Sequence, residues 1–278
     1  MGFSVLMSIF AKEQPDFFDI ALESVWTSQL LKPSQIVIVK DGPLPDALEN
    51  VIARWKEIID DNVLTVIGLE TNRGLGFALN TGLAQCDYDI VFRMDTDDRC
   101  APDRFVEQFS FFNNNPNIDI IGTWCKVIDS NGNVTGVKEY PTTNMQLREL
   151  IWACPLVHPS VGFRKHKIEA IGSYDALLRR RQDYDLWFRA VANNLGLANI
   201  PKYLLYYRID EKYYKKNNFK ANLDQAKIGV KGLRLVKAKK SAYLAVYLPV
   251  LRSLLPTFIA KQFHKLLNYF DPRKRPTS

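Results

Sequence analysis

Three carboxylates stand within four residues in the stretch Y-D-I-V-F-R-M-D-T-D-D-R-C-A-P, residues 88–102. Asp95, Asp97 and Asp98 follow an apolar run, Ile90, Val91, Phe92 and Met94, that reads as a buried strand. Acids at the carboxyl end of such a strand lie where open α/β sheets bind ligands. Carboxylates held close raise one another's pKa unless a cation sits between them. A hard divalent ion with oxygen ligands, shared with substrate phosphates, answers that demand. The plainer alternative is a polar loop in which Asp98 caps a helix starting near Ala101, with Pro102 in its first turn. An EF-hand loop is excluded. Counted from Asp95, Cys100 stands where Gly is needed and Val106 where Glu is needed.

Three other places offer chemistry at element ends. Asp41 closes a strand in K-D-G-P, where a carboxylate can accept from a base N–H or a ribose hydroxyl, or simply make a turn. Asn72-Arg73-Gly74-Leu75-Gly76 opens a helix, and its N–H groups with Arg73 suit a diphosphate. It is not a dinucleotide fingerprint, because Leu79 holds the third glycine position and the segment follows the third strand rather than the first. No P-loop motif occurs. Arg181-Gln182-Asp183-Tyr184-Asp185-Leu186-Trp187 begins a further helix. Asp183 and Asp185, two apart, cannot share a face. One of them can take a proton from an attacking hydroxyl; the alternative is that both only stabilise the helix dipole.

The elements that must position these residues follow from periodicity. Strands are predicted at 3–10, 36–39, 63–69 and 90–94, alternating with helices at 15–31, 44–59 and 74–86. That order argues for a parallel sheet with helices on both faces. After residue 115 the pattern becomes mixed, with strands at 118–121, 124–128 and 134–139, an Asn131-Gly132 turn, short helices, and a strand at 202–208. A basic helix at 221–240 precedes an apolar stretch, 243–260, that Arg252, Pro249 and Pro256 disqualify as a membrane span. Its basic flanks favour an anionic membrane interface.

Composition bounds the class. The 278 residues suffice for one large domain or two small ones, and 47% are hydrophobic, as in globular proteins. Residues 201–278 hold 18 Lys+Arg against 4 Asp+Glu, while the first 200 hold 19 against 26. An acidic body with a basic tail suggests a tail that meets an anionic surface. Four Cys without metal-ligand spacing fit free thiols, and three His argue against a histidine-rich metal site. The first residues show no signal peptide pattern.

Seven segments in one order carry a resemblance: S-V-L-M-S, V-K-D-G-P, N-R-G-L-G-F-A-L-N-T-G, R-M-D-T-D-D, H-P-S-V-G-F-R-K, Q-D-Y-D-L-W and Y-Y-R. Together they resemble family 2 glycosyltransferases of the GT-A nucleotide-diphospho-sugar transferase fold, with the nearest likeness to exopolysaccharide enzymes of the amylovoran type. The resemblance covers about residues 3–209. It implies an α/β fold with a mostly parallel central sheet flanked by helices. Residues 1–115 would bind the nucleotide sugar, 116–209 the acceptor, and 210–278 would form a basic helical tail on a membrane.

The implied roles are these. Asp41 and Arg73 hold the nucleotide, Asp95 the ribose or metal, and Asp97 ligates Mn²⁺ or Mg²⁺ on the diphosphate. Asp183 is the general base of an inverting transfer of a hexose. Asp98, His158, Gln182, Trp187 and Arg208 line or support the acceptor side. Trp124 and Trp152, like Trp187, either stack on sugars or pack in the core. Two departures stand out. Gln182 occupies the place of the family's usual Glu, and Arg208-Ile209-Asp210 lacks a His, so Lys212, Lys215 and Lys216 are candidates to face the diphosphate. The implied setting is bacterial capsule, exopolysaccharide or O-antigen assembly, with a lipid-linked or saccharide acceptor, at the cytoplasmic face of the inner membrane and without nucleic acid. The rivals are a non-catalytic nucleotide-sugar-binding scaffold and a sugar-phosphate nucleotidylyltransferase. Ala11-Lys12-Glu13-Gln14 lacks the glycine-rich loop that the latter needs.

Overall fold

The computed structural model describes residues 2–209 and 219–254. Strands β1 (Phe3–Ile9), β2 (Gln35–Lys40), β3 (Leu64–Gly68) and β4 (Ile90–Met94) lie parallel in the order β3-β2-β1-β4. Helices α1 (Pro15–Val25), α2 (Asp46–Ile58) and α3 (Leu75–Ala84) connect them. Alternate side chains feed two cores. Val5, Met7, Ile36, Ile38, Phe92 and Met94 pack with α1 and α2, whereas Leu6, Val37, Val39 and Val91 pack with α3. Burial on both faces is why these strands read as unbroken apolar runs. By the same alternation Arg93 falls on the α3 side, 1% exposed.

Beyond β4 the sheet becomes mixed. β8 (Gly162–Arg164) runs antiparallel to β4, and β6 (Ile120–Ile128) antiparallel to β8. β9 (Leu197–Arg208) is parallel to β6, and β5 (Arg99–Cys100) ends the order antiparallel to β9. β7 (Val134–Lys138) folds back on β6 through the predicted Asn131-Gly132 turn. The two strands expected at 118–121 and 124–128 are one, and its register with β9 shifts around Trp124. Residues 99–100, just before the expected helix start near Ala101, pair with β9. α4 (Arg104–Asn114) therefore starts later than expected, with Pro102 outside it.

Four helices complete the body: α5 (Asn144–Glu149), with a Thr143–Gln146 capping box, α6 (Lys165–Ala170), α7 (Gln182–Ala192) and α8 (Phe219–Leu235). α8 lies so close to α7 that a Cβ on Gly232 would stand 2.1 Å from Phe188 Cδ2. The stretch expected to be apolar from residue 243 enters two short helices, α9 (Lys240–Ala245) and α10 (Leu248–Ser253). Residues 255–278, the rest of the expected tail, and 210–218, with Lys212, Lys215 and Lys216, lie outside the described residues. Among the described residues no helix is long and apolar enough to cross a membrane.

The start of β9 depends on Gly196, whose N–H donates to Asp119 Oδ2 at 2.9 Å. A Cβ there would meet the Asn117 carbonyl oxygen at 2.0 Å. Gly196→Ala is expected to cost about 1–3 kcal/mol, read as a lowered urea midpoint with an unchanged slope.

Candidate active site

The carboxyl ends of β2, β3 and β4 share one edge of the sheet, so Asp41, Arg73 and the 95–98 turn arrive on the same side. The acidic turn is fixed at both ends, by β4 in the middle of the sheet and by β5 paired to β9. One carboxylate oxygen from each of Asp95, Asp97 and Asp98 lies within 4.8 Å of the others. The expected convergence therefore occurs, because the chain turns after Met94. Burial and then Asp95 push the Asp97 carboxyl up to about 6. Burial, then Asp97 and Asp95, hold Asp98 well above the carboxylate range. Asp98 Oδ2 is buried and has no hydrogen-bond partner among the described residues. Three clustered carboxylates, of which Asp97 and Asp98 resist ionisation and Asp98 has an orphaned oxygen, are a donor set suited to a hard divalent cation.

Asp98 does not cap the following helix. Its Oδ1 accepts the Arg208 N–H at 2.7 Å. Arg208 in turn donates from Nε to the Asp97 carbonyl and from Nη1 to the Asp129 carbonyl, each at 2.7 Å. Its guanidinium thus clamps the backbone of the acidic turn. Arg93 forms an ion pair with Asp95, and its Nε and Nη1 are buried without partners among the described residues.

Across the site, α7 carries Asp183 in its first turn, after Arg181 in a left-handed conformation (φ 65°). Asp183 is half-buried, and its Oδ2 lies 4.0 Å from Cys154 Sγ. Burial raises its carboxyl above the ordinary range, against the pull of Arg181 and Arg93. Asp185 is committed elsewhere: it accepts Arg189 Nε at 2.7 Å, and Arg189 also holds the Ile171 and Ser173 carbonyls. This separates the two acids that the sequence left as alternatives. His158 Nε2 lies 2.9 Å from Tyr174 Oη, and burial with Arg93 holds the imidazole neutral.

Packing gives three of the expected site residues partners within the protein. Trp187 is 0% exposed and presents its ring to His158 at 6.1 Å, so it supports that side chain and does not stack on a sugar. Gln182 is buried, donates to the Leu178 carbonyl at 2.8 Å, and holds the 175–181 loop against the start of α3. Asp41 is 5% exposed, and its two oxygens accept the N–H groups of Arg73 at 2.7 Å and Gly74 at 3.0 Å. It shapes the loop that presents Arg73, whose guanidinium lies 3.6 Å from the Phe77 ring centre. Trp124 donates to the Tyr140 carbonyl at 2.9 Å and packs on Tyr203. Sequence reasoning passed over Arg93, Tyr174 and Cys154. For Arg93 the signal was a charge inside an apolar strand.

Residues 4–182 match the sequence model of glycosyl transferase family 2. The chain belongs to that family. Among its relatives, the amylovoran biosynthesis glycosyltransferase AmsE of Erwinia amylovora is 37% identical over 204 residues, 73% of this chain and 74% of its own. A UDP-Gal:alpha-D-GlcNAc-diphosphoundecaprenol beta-1,3-galactosyltransferase of Escherichia coli is 34% identical over 215 residues, 77% and 76% of the two chains. A mannosyltransferase of Pyrobaculum calidifontis, solved with GDP-Man and Mn²⁺, superposes with a TM-score of 0.67 at 15% identity, over 98% of this chain and 81% of its own. That likeness gives this family 2 glycosyltransferase the GT-A fold.

The ionised Asp98 opposes folding of this glycosyltransferase at neutral pH. Its carboxyl binds a proton more tightly folded than unfolded, so the penalty fades as pH falls. Asp98→Asn keeps an acceptor for the Arg208 N–H and removes the charge. In chelator at pH 7.5 the variant is expected to melt about 2–4 °C higher, with the gain shrinking towards acid. Added Mn²⁺ is expected to stabilise it less than the parent, as scanning calorimetry would show.

Proposed function

We propose that the chain is an inverting hexosyltransferase, moving a sugar from a nucleotide-diphosphate donor to a lipid-linked saccharide during assembly of a bacterial surface polysaccharide. We place its work at the cytoplasmic face of the inner membrane. The names of the relatives support the setting: one belongs to amylovoran biosynthesis, and another acts on a diphosphoundecaprenol-linked sugar. The observation that carries the reading is a shared buried cation. Arg93 is paired to Asp95, and its positive charge also acts on Asp97 and Asp183, whose carboxyls burial nonetheless raises. The acidic turn and the candidate base thus flank one charge.

In this reading Arg73 and the N–H groups opening α3 receive the donor diphosphate. Asp41 keeps a second lone pair on each oxygen for the ribose or base. Asp95 and Asp97 would hold Mn²⁺ or Mg²⁺, which when bound supplies positive charge for the departing diphosphate. Asp183 accepts the proton of the acceptor hydroxyl as that oxygen bonds to the anomeric carbon. The bond from that carbon to the diphosphate oxygen breaks on the opposite face, and the configuration inverts. Neutral His158, held by Tyr174 and backed by Trp187, offers the acceptor a hydrogen-bonding group without a competing charge. Low polarity around Asp183 strengthens it as a base, because a raised carboxyl grips the proton it takes.

Two outcomes test this. Asp183→Asn should lower transfer by about 10²–10⁴-fold, followed as nucleoside diphosphate release with a lipid-linked acceptor, while donor binding by calorimetry stays near normal. Near-parental turnover would remove Asp183 as base. The base must be ionised and burial raises its carboxyl, so kcat should fall with acid at a pH above the ordinary carboxylate range. A kcat flat down to pH 4 would contradict the assignment.

A further inference from the structure

α8 presents two different faces. Its inner face is bound to α7: Ala226 and Leu233 are fully buried, and a Cβ on Gly229 would stand 3.0 Å from Tyr184 Oη. On the other side, Lys227, Lys231 and Arg234 recur at helical spacing and form one stripe. With Val230, Leu235 and Tyr247 they line an open groove of about 560 Å³. Lys227 Nζ is 3.5 Å from Asp224, and Lys231 Nζ is 3.9 Å from Asp185, with both lysines largely exposed. Pairs so loose and solvated leave the stripe cationic. In the segment of α9 and α10, which pack against α8, Leu244 is 77% exposed, Leu251 58% and, just past α10, Leu254 64%. Residues 219–254 hold eight Lys+Arg and one acid, Asp224.

We infer that this groove is a docking surface for the anionic phospholipid headgroups of a bilayer, with the neighbouring leucines entering the acyl boundary. Charge selects an anionic occupant. The apolar lining and the exposed leucines of α9 and α10 select a bilayer over nucleic acid, because single strands call for several aromatic platforms and the groove offers one aromatic, Tyr247. The inference rests on the reading of the chain as a membrane-peripheral transferase and gives that reading a location and an orientation. Gly229 and Gly232 bring α8 against the helix that carries Asp183. A bilayer on the outer face of α8 is therefore separated from the candidate base by two packed helices.

The test is partition of the full chain onto vesicles of 30% phosphatidylglycerol in phosphatidylcholine, with pure phosphatidylcholine as control. Lys227→Gln combined with Arg234→Gln is expected to weaken partition onto anionic vesicles about 30-fold, with little change on neutral ones. Leu251→Ser should weaken both. Transfer to a detergent-dispersed acceptor should stay at the parental rate in all variants. That readout separates failure of the groove from failure of the transferase reading. Unchanged partition of the double variant would overturn the inference. So would concentration-dependent dimers that the double variant abolishes, since the occupant would then be a second copy. Retention on RNA but not on vesicles would overturn it as well.

Discussion

Mutual repulsion of carboxylates sets the terms for the whole edge of the sheet. Oxygens within 4.8 Å of one another repel by about 3 kcal/mol or more per ionised pair at an effective dielectric near 20. A loop free to relax would splay them. Here the turn hangs between β4, deep in the sheet, and β5, pinned to β9, so relaxation is blocked from both ends. Two arginines take up the remaining field. Arg93 works from inside through its pair with Asp95, and Arg208 from outside through the peptide carbonyls of the turn and Asp129. Burying a guanidinium within an apolar sheet face is costly without such counter-charges. The acids and arginines therefore account for one another.

A division of labour on α7 follows from side-chain direction. Residues 183 and 185 point to different sides of the helix. One side meets Arg189, which straps the 171–173 turn to the helix, and that strap consumes Asp185. The other side meets Cys154 and the field of Arg93. Left-handed backbone at Arg181 and Cys154, which non-glycine residues seldom adopt, brackets Asp183 from two segments. Strain of this kind persists only where packing over-determines it, and here that packing is the Tyr184–Trp187–Phe188 face of α7 in the second core.

How much of this was legible in the sequence depends on whether a feature was local. The parallel strands and their helices were readable because burial on two faces writes long apolar runs. The places of the acidic turn, Arg73 and Asp183 at element ends were readable, because local sequence marks where strands stop and helices start. What escaped depends on distant pairing. β5 is two residues long and exists because β9 borders it. That pairing also moved the start of α4. β6 looked like two strands because Gly122-Thr123 breaks its apolar run, yet a Cβ at 122 would stand 2.2 Å from Asn199 Oδ1, so the break is a packing requirement. Arg208 and Gln182 were expected to line or support the acceptor side, and no local pattern says which. Their partners are backbone carbonyls that no motif records.

The glycine contacts between α7 and α8 bear on where the enzyme can be cut. Gly232 rests on the ring of Phe188 and Gly229 on the hydroxyl of Tyr184, both side chains of the second core. A fragment ending with β9 would bare those aromatic surfaces and loosen the helix that aims Asp183. The matched family segment stops at residue 182, whereas the second core continues through Leu233 of α8. Chimaeras that exchange C-terminal segments between relatives should be joined downstream of that helix.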